Sequence, residues 1–268
     1  LGVASGQPQA DSVVLWTRLV FSPADAALAL QAVPVHCEVY ADEALQQTAG
    51  QWTVTATPET AHSVHVLARG LSPDRPYWYR FRTGDAQSRV GRTRTAPRPE
   101  DPVQRLRMAL ASCQHYEQGF FVAHREIARQ ELDLVLFVGD YIYEGSNRQQ
   151  QLRSHGSGIP TLLEEYRARH ALYKSDPDLQ ASHAAHAWLM TWDDHEVVND
   201  YARDRDPAYS PPDFFLRRRA AAYRAYFEHM PLRLGPMAQT PHAMRIHDQL
   251  PWGRLAQLWT LDNRQYRD

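Results

Sequence analysis

Leu134-Val135-Leu136-Phe137-Val138-Gly139-Asp140 decides how this chain is read. The continuous apolar run predicts a strand covered on both faces, as in a parallel sheet flanked by helices. Gly139 permits a sharp backbone turn, so Asp140 projects beyond the carboxyl end of the strand, where open α/β sheets bind ligands. Upstream, Met108-Ala109-Leu110-Ala111-Ser112-Cys113-Gln114-His115 is a second small and apolar run that ends in a ligand-type residue. An amphipathic helix over 120–131 joins the two, which makes a βαβ unit with a short crossover. Downstream, Ala187-Trp188-Leu189-Met190-Thr191 predicts a third buried strand. It runs into Trp192-Asp193-Asp194-His195-Glu196-Val197-Val198-Asn199. Further helices are expected over 161–174 and 213–229, and a further strand over 255–262. Successive strand ends thus carry Cys113, then Asp140 with Tyr143, then the Asp-Asp-His group.

Residues 1–97 read differently. Val13 to Leu19, Val33 to Tyr40, Gln51 to Ala56, Ser63 to Ala68, Tyr77 to Thr83 and Arg89 to Thr95 are short β-branched and aromatic runs separated by turn signals, which predicts a sandwich. Leu71-Ser72-Pro73-Asp74-Arg75-Pro76-Tyr77 has the spacing of a tyrosine corner, and this points to a fibronectin-III-like sandwich. The segment 96–102, Pro-rich and charged, reads as a linker. The expected organisation is therefore multidomain: an all-β sandwich over 1–97, then an α/β domain over 104–268. No internal repeat is found.

The chain has 268 residues, a formal net charge of −2 and two cysteines. That length buries a large core. The balanced charge gives no nucleic-acid footprint, and no apolar stretch is long enough to span a bilayer. Nothing in the sequence sets an oligomeric state. Cys37 sits in a strand pattern as a small core residue. A Cys37–Cys113 disulfide is not expected, because the two lie in different predicted domains. The first residue is Leu1 and the last is Asp268, so both ends read as cuts, and an upstream export signal fits that reading. The segment 145–158, rich in Gln, Arg, Ser and Gly, predicts a surface loop beside the site. Arg217-Arg218-Arg219 predicts a solvated helix face rather than a phosphate contact.

Burying so many ionisable groups together is costly unless they pair or hold a metal. The Asp193-Asp194 pair also suits a helix N-cap, which needs only one of these residues, so the segment by itself leaves both readings open. A carboxylate such as Asp140 can bridge two cations. Cys113 as thiolate and Tyr143 as phenolate suit a Lewis-acidic transition metal such as ferric iron. Asp194 and Asn199 supply hard oxygens for calcium, magnesium or manganese. His195 can donate a proton or hydrogen bond to a phosphoryl oxygen or leaving group. The donor set points to hydrolysis of a phosphate ester.

Five ordered motifs resemble the PhoD-like alkaline phosphatase/phosphodiesterase family. They are Leu1-Gly2-Val3-Ala4-Ser5-Gly6-Gln7-Pro8 with Val14-Leu15-Trp16-Thr17-Arg18, then Ala111-Ser112-Cys113-Gln114, Gly139-Asp140-Tyr141-Ile142-Tyr143-Glu144, Thr191-Trp192-Asp193-Asp194-His195-Glu196, and Leu261-Asp262-Asn263-Arg264-Gln265-Tyr266-Arg267. The resemblance implies a calcineurin-like metallophosphoesterase core behind a small β-sandwich. It also implies Tat-dependent export to the periplasm or beyond, and hydrolysis of small phosphomonoesters and phosphodiesters with Fe3+ and Ca2+, other divalent metals being alternatives. Carried over, Cys113, Asp140 and Tyr143 are iron ligands with Asp140 as the bridge, Asp194 binds metal, His195 contacts phosphate and Asn199 lies on the calcium side. Arg264 either binds phosphate or anchors its surroundings through a salt bridge. Members of the family continue past the Arg-x-x-Arg segment into strands with a Gly-Asp-x-His motif. A C-terminally truncated core that lacks at least one His ligand is therefore expected. The alternative reading is a catalytically incompetent phosphate- or metal-binding relative.

Overall fold

The three apolar runs form parallel neighbours in one sheet. A computed structural model describes residues 1–147, 149, 151–233 and 244–267. Arg148 and Gln150 of the expected surface loop, and the terminal Asp268, lie outside these. The strands are β1 (Val3–Gly6), β2 (Ser12–Arg18), β3 (Val33–Tyr40), β4 (Thr48–Ala56), β5 (Ser63–Arg69), β6 (Pro76–Thr83), β7 (Ala86–Gln87), β8 (Gly91–Arg94), β9 (Met108–Ala111), β10 (Leu134–Val138), β11 (Ala187–Thr191), β12 (Asp248–Trp252) and β13 (Ala256–Thr260). The helices are α1 (Val122–Arg129), α2 (Leu163–Lys174), α3 (Pro177–Ala185) and α4 (Pro212–His229).

A six-stranded sheet has the order β5-β2-β1-β11-β10-β9. β9, β10 and β11 are parallel, and β1 continues that direction against β11 through Ser5↔Ala187 and Gly6↔Trp188. The sheet therefore crosses the expected boundary at residue 97: N-terminal strands and the α/β strands share one hydrogen-bonded ladder. A second sheet, β4-β3-β6-β7 with β8 also on β6, faces the N-terminal strands. Val13, Leu15, Val64 and Val66 from one sheet pack with Val35, Val39, Tyr79 and Phe81 from the other. Thus the N-terminal part is a β-sandwich and the rest is α/β. The Tyr77 phenol accepts from the Ser72 N–H at 2.7 Å, closing the corner expected there. Cys37 is wholly buried in this core, and both cysteines are free.

Alternation along β10 and β11 divides the second core into two layers. Val135, Phe137, Trp188 and Met190 point to the helix side, where Tyr166, Tyr173, Tyr223 and Tyr226 cover them. Leu134, Ala187 and Leu189 point to the opposite side, against Leu250 and Trp252 of the β12–β13 hairpin. The expectation that β10 is covered on both faces holds only for its first part, since Val138 is 44 % exposed and Leu110 of the edge strand β9 is 70 % exposed. The hairpin spans only part of that face. α3 was not anticipated, although Asp176 accepts from the Asp178 and Leu179 amides ahead of Pro177, which is an N-cap followed by proline at the first helical position. The basic run on α4 corrects the expectation of a solvated face. Arg217 is exposed, but Arg218 and Arg219 are buried. Arg218 Nε donates to Pro160 O and to the Tyr166 hydroxyl, and Arg219 donates to Arg203 O. Planar guanidinium groups spread over several buried oxygens are anchors of the helix.

Candidate metal centre

The site begins where β9 and β10 end. Cys113 and Asp140 both have φ of +57°, and Gly139 between strand and carboxylate has φ of +105°. A left-handed backbone at non-glycine residues costs on the order of 1 kcal/mol each, and such strain concentrates at functional sites. The Cys113 amide donates to Gly139 O and the Gln114 amide to Asp140 O, so the two strand ends are clipped together past the regular ladder. A Cβ on residue 139 would lie 2.5 Å from Asp193 Cβ and backbone N, so only glycine lets the β10 and β11 ends approach this closely.

This arrangement gathers Cys113, Asp140 and Tyr143. Cys113 Sγ lies 3.3 Å and Tyr143 Oη 3.1 Å from the same oxygen, Asp140 Oδ2. The other oxygen, Asp140 Oδ1, is buried with no hydrogen-bond partner among the described residues. Burial raises the pKa of Asp140, of Cys113 and of Tyr143, with the carboxylate's charge adding to the last two. A pocket that disfavours its own three anions, and orphans one carboxylate oxygen, has the chemistry of a cation site.

The β11 end contributes the second group. The residues after Thr191 form turns rather than the helix that an N-cap reading requires. Asp194 is 5 % exposed, and its carboxylate accepts the Asp200 amide at 2.5 Å. Ligand atoms of Asp140, Asp194 and His195 all lie within 4.8 Å of one another. Asp193 turns the other way, to Arg264 Nε at 2.5 Å and Asn263 Nδ2 at 2.9 Å. The Arg264 guanidinium also lies 3.5 Å from Asp194. Arg264 is 8 % exposed and thus occupied in a salt-bridge cluster. Asn199 is placed at the rim: its side chain is exposed and donates to Asp200, and only its backbone amide joins the site.

Two glutamates to which the sequence reading gave no role complete the frame. Glu144 accepts from His195 Nδ1 at 2.7 Å and from the Asn199 amide at 2.8 Å. Burial by itself would lower the His195 pKa, but Glu144, with Asp140 and Asp194 nearby, lifts it to about 9. Glu196 is 1 % exposed and accepts from the Tyr141 and Asp193 amides at 2.6 and 2.9 Å. Burial and the Asp140 charge push its pKa up to about 8, against the pull of those amides. The arrangement offers an anionic cradle with one imidazole held at its edge.

Known proteins carry the same framework. The family model for PhoD-like phosphatases matches residues 108–268, and that for the PhoD-like phosphatase N-terminal domain matches residues 1–97. Alkaline phosphatase D of Bacillus subtilis (strain 168) is 47 % identical over 274 residues, covering 100 % of this chain and 47 % of that protein. The chain thus spans about half the length of the curated relative it matches. A solved structure described as "Structure of PhoD" superposes with a TM-score of 0.94 at 46 % identity, covering 100 % of this chain and 52 % of the other.

Proposed function

The chain belongs to the PhoD-like phosphatase family, and on that premise we propose that it is a metal-dependent hydrolase of phosphate esters, both mono- and diesters. The observation that carries the proposal is the convergence of Cys113, Tyr143 and the orphaned Asp140 carboxylate with Asp194 and His195 on adjacent strand ends. In this reading Cys113, Tyr143 and Asp140 would hold iron and Asp194 would serve calcium, which Asn199 would join by turning its side chain from Asp200. When bound, the ions supply Lewis acidity and lower the pKa of water. The buried Asp140 carboxylate and the raised pKa values of its neighbours suit that donor role.

His195 is the group that moves a proton. Glu144 engages its Nδ1, which leaves Nε2 for the phosphoryl or leaving-group oxygen, and the Glu144 carboxylate favours the protonated ring. Arg264 positions the Asp193-Asp194 segment through its ion pairs. The proposal also takes the N-terminal sandwich as fibronectin-III-like, residues 104–268 as a calcineurin-like core, and the protein as exported by the Tat route for phosphate acquisition.

Turnover of p-nitrophenyl phosphate and bis(p-nitrophenyl) phosphate, lost on chelation and restored by metal, is the expected result. Replacing His195 by Ala should lower kcat by about 10²–10⁴-fold with metal content unchanged. Loss of metal in that variant would make His195 a ligand and end its role as acid. Metal binding with no turnover of either ester by the wild type would return the incompetent-relative reading.

A further inference from the structure

A second titratable cluster lies beside the centre. His115, Glu117 and His155 place one ligand-type atom each within 4.8 Å of one another. Glu117 is wholly buried, in the turn that follows β9, and its carboxylate is held by several donors. Its carboxylate accepts from Ser146 Oγ at 3.2 Å, the Asn147 amide at 3.0 Å, Gln151 Nε2 at 2.8 Å and the His155 amide at 2.9 Å. Its backbone oxygen accepts from the Leu152 and Arg153 amides. The imidazole protons are fixed too. The Tyr173 hydroxyl accepts from the Tyr116 and Tyr143 amides, so its proton goes to His155 Nε2. His155 therefore carries its own proton on Nδ1, 3.6 Å from Glu117 Oε1. The Glu117 amide donates to His115 Nδ1. With three donors on Oε1 and one on Oε2, this carboxylate is a fastener of its surroundings.

What it fastens runs into the site. His155 stacks on His115 with centroids 5.5 Å apart, His115 leans on Tyr143 at 4.5 Å, and Tyr143 leans on His195 at 4.1 Å. We propose that Glu117 is a positioning residue for substrate: it holds Ser146, Asn147 and residues 151–155 as the wall behind this ring column, and so fixes the pocket face presented to the ester. This rests on the phosphoesterase reading above. Four donors on the carboxylate and two on the backbone oxygen fasten these residues into a fixed surface, the carboxylate bonds being charge-assisted and so stronger than their neutral counterparts. Substrate then meets a pocket that needs no ordering on binding.

Glu117→Gln tests it, since the amide keeps the volume but turns an NH2 group toward donors. Hydrogen exchange at the Asn147 and His155 amides should accelerate about tenfold or more. KM for p-nitrophenyl phosphate should rise about tenfold while kcat changes less than about threefold. Metal content should match the wild type. Gln151→Ala, at an exposed residue that supplies one donor, should shift both readouts the same way by less, and it carries the test if Glu117→Gln fails to fold. Unchanged exchange in the variants overturns the proposal, as does faster exchange with unchanged KM. If the wild type turns over neither ester, the phosphoesterase reading fails, and calorimetric binding of inorganic phosphate replaces KM: weaker binding in the variants supports the fastened wall, and equal binding overturns it. A wild type that neither turns over ester nor binds phosphate overturns both.

Discussion

Glu196 shows how much of the centre depends on side chains that touch no substrate. Its two oxygens accept the amides next to Asp140 and Asp194, so one buried carboxylate sets the spacing of the two metal-facing strand ends. Glu196→Gln keeps one of these bonds and sets an NH2 group against the other amide, leaving a buried donor unpaired at about 1–3 kcal/mol. The expected result is a 10–100-fold loss of metal affinity, the usual size for partners that orient ligands. Metal titration of the chelator-stripped protein checks this; affinity equal to wild type would remove Glu196 from the centre. Cys113, Asp140, Tyr143, Asp194 and His195 are legible in the sequence, because each is a polar residue at the end of an apolar run. Glu144 and Glu196 are not, because their function lies in partners 51 and 55 residues away. Asn199 sits at the rim, where its side chain donates to the adjacent Asp200, a local bond that its sequence position does not announce.

At the scale of elements, the strands that place the site were mostly readable, and the one that joins the halves was not. Val3-Ala4-Ser5-Gly6 lacks the β-branched and aromatic run that marks a strand, yet it lies between β2 and β11 and is buried throughout. Small residues suit a crowded central position, and such positions carry little pattern to read. α3 and β12 were missed through local chemistry: one opens on an Asp-Pro cap, the other contains Pro251 within a two-stranded hairpin. The shared sheet has a consequence for dissection. Removing residues 1–97 strips β1 from β11, whose five residues are all buried, and exposes a strand edge and an apolar face together. The segment 104–268 expressed by itself is therefore expected to aggregate or to lack near-ultraviolet circular dichroism. A monodisperse, cooperatively melting product would refute the dependence on β1.

Across the whole molecule, bases are buried where a chain of nearly neutral net charge would leave them in water. His124, His170, His183 and His229 are each at most 4 % exposed, and Lys174 is 2 % exposed. Burial lowers the pKa of His124 to about 4 and holds the other three imidazoles well below the ordinary value. His229 is fixed as neutral by its bonds, with Nδ1 on Ala225 O and Nε2 facing Arg18. For a base with a depressed folded pKa, the unfolded chain binds more protons, so stability rises with pH. It is fully present above about pH 6.5 and is lost below that, by roughly 1.4 kcal/mol per histidine per pH unit. The four together remove up to roughly 5 kcal/mol by pH 5.5, comparable to the whole stability of many domains. Lys174, whose ammonium sits 4.3 Å from the Trp16 ring centroid, has its pKa lowered to about 7 by burial. It acts in the same direction over the next window, between about pH 7 and the unfolded value near 10.4. Resistance to urea should therefore climb from pH 5.5 to 7.0, where the four histidines outweigh the opposing raised His195 and Glu196, and Lys174→Met should raise stability by about 1–3 kcal/mol at pH 7, with the gain shrinking toward pH 10. Urea midpoints measured at pH 5.5 and 7.0 decide it. A midpoint that is highest at pH 5.5, or a Lys174→Met variant less stable than wild type at pH 7, would mean that these bases are charged and paired in the folded protein.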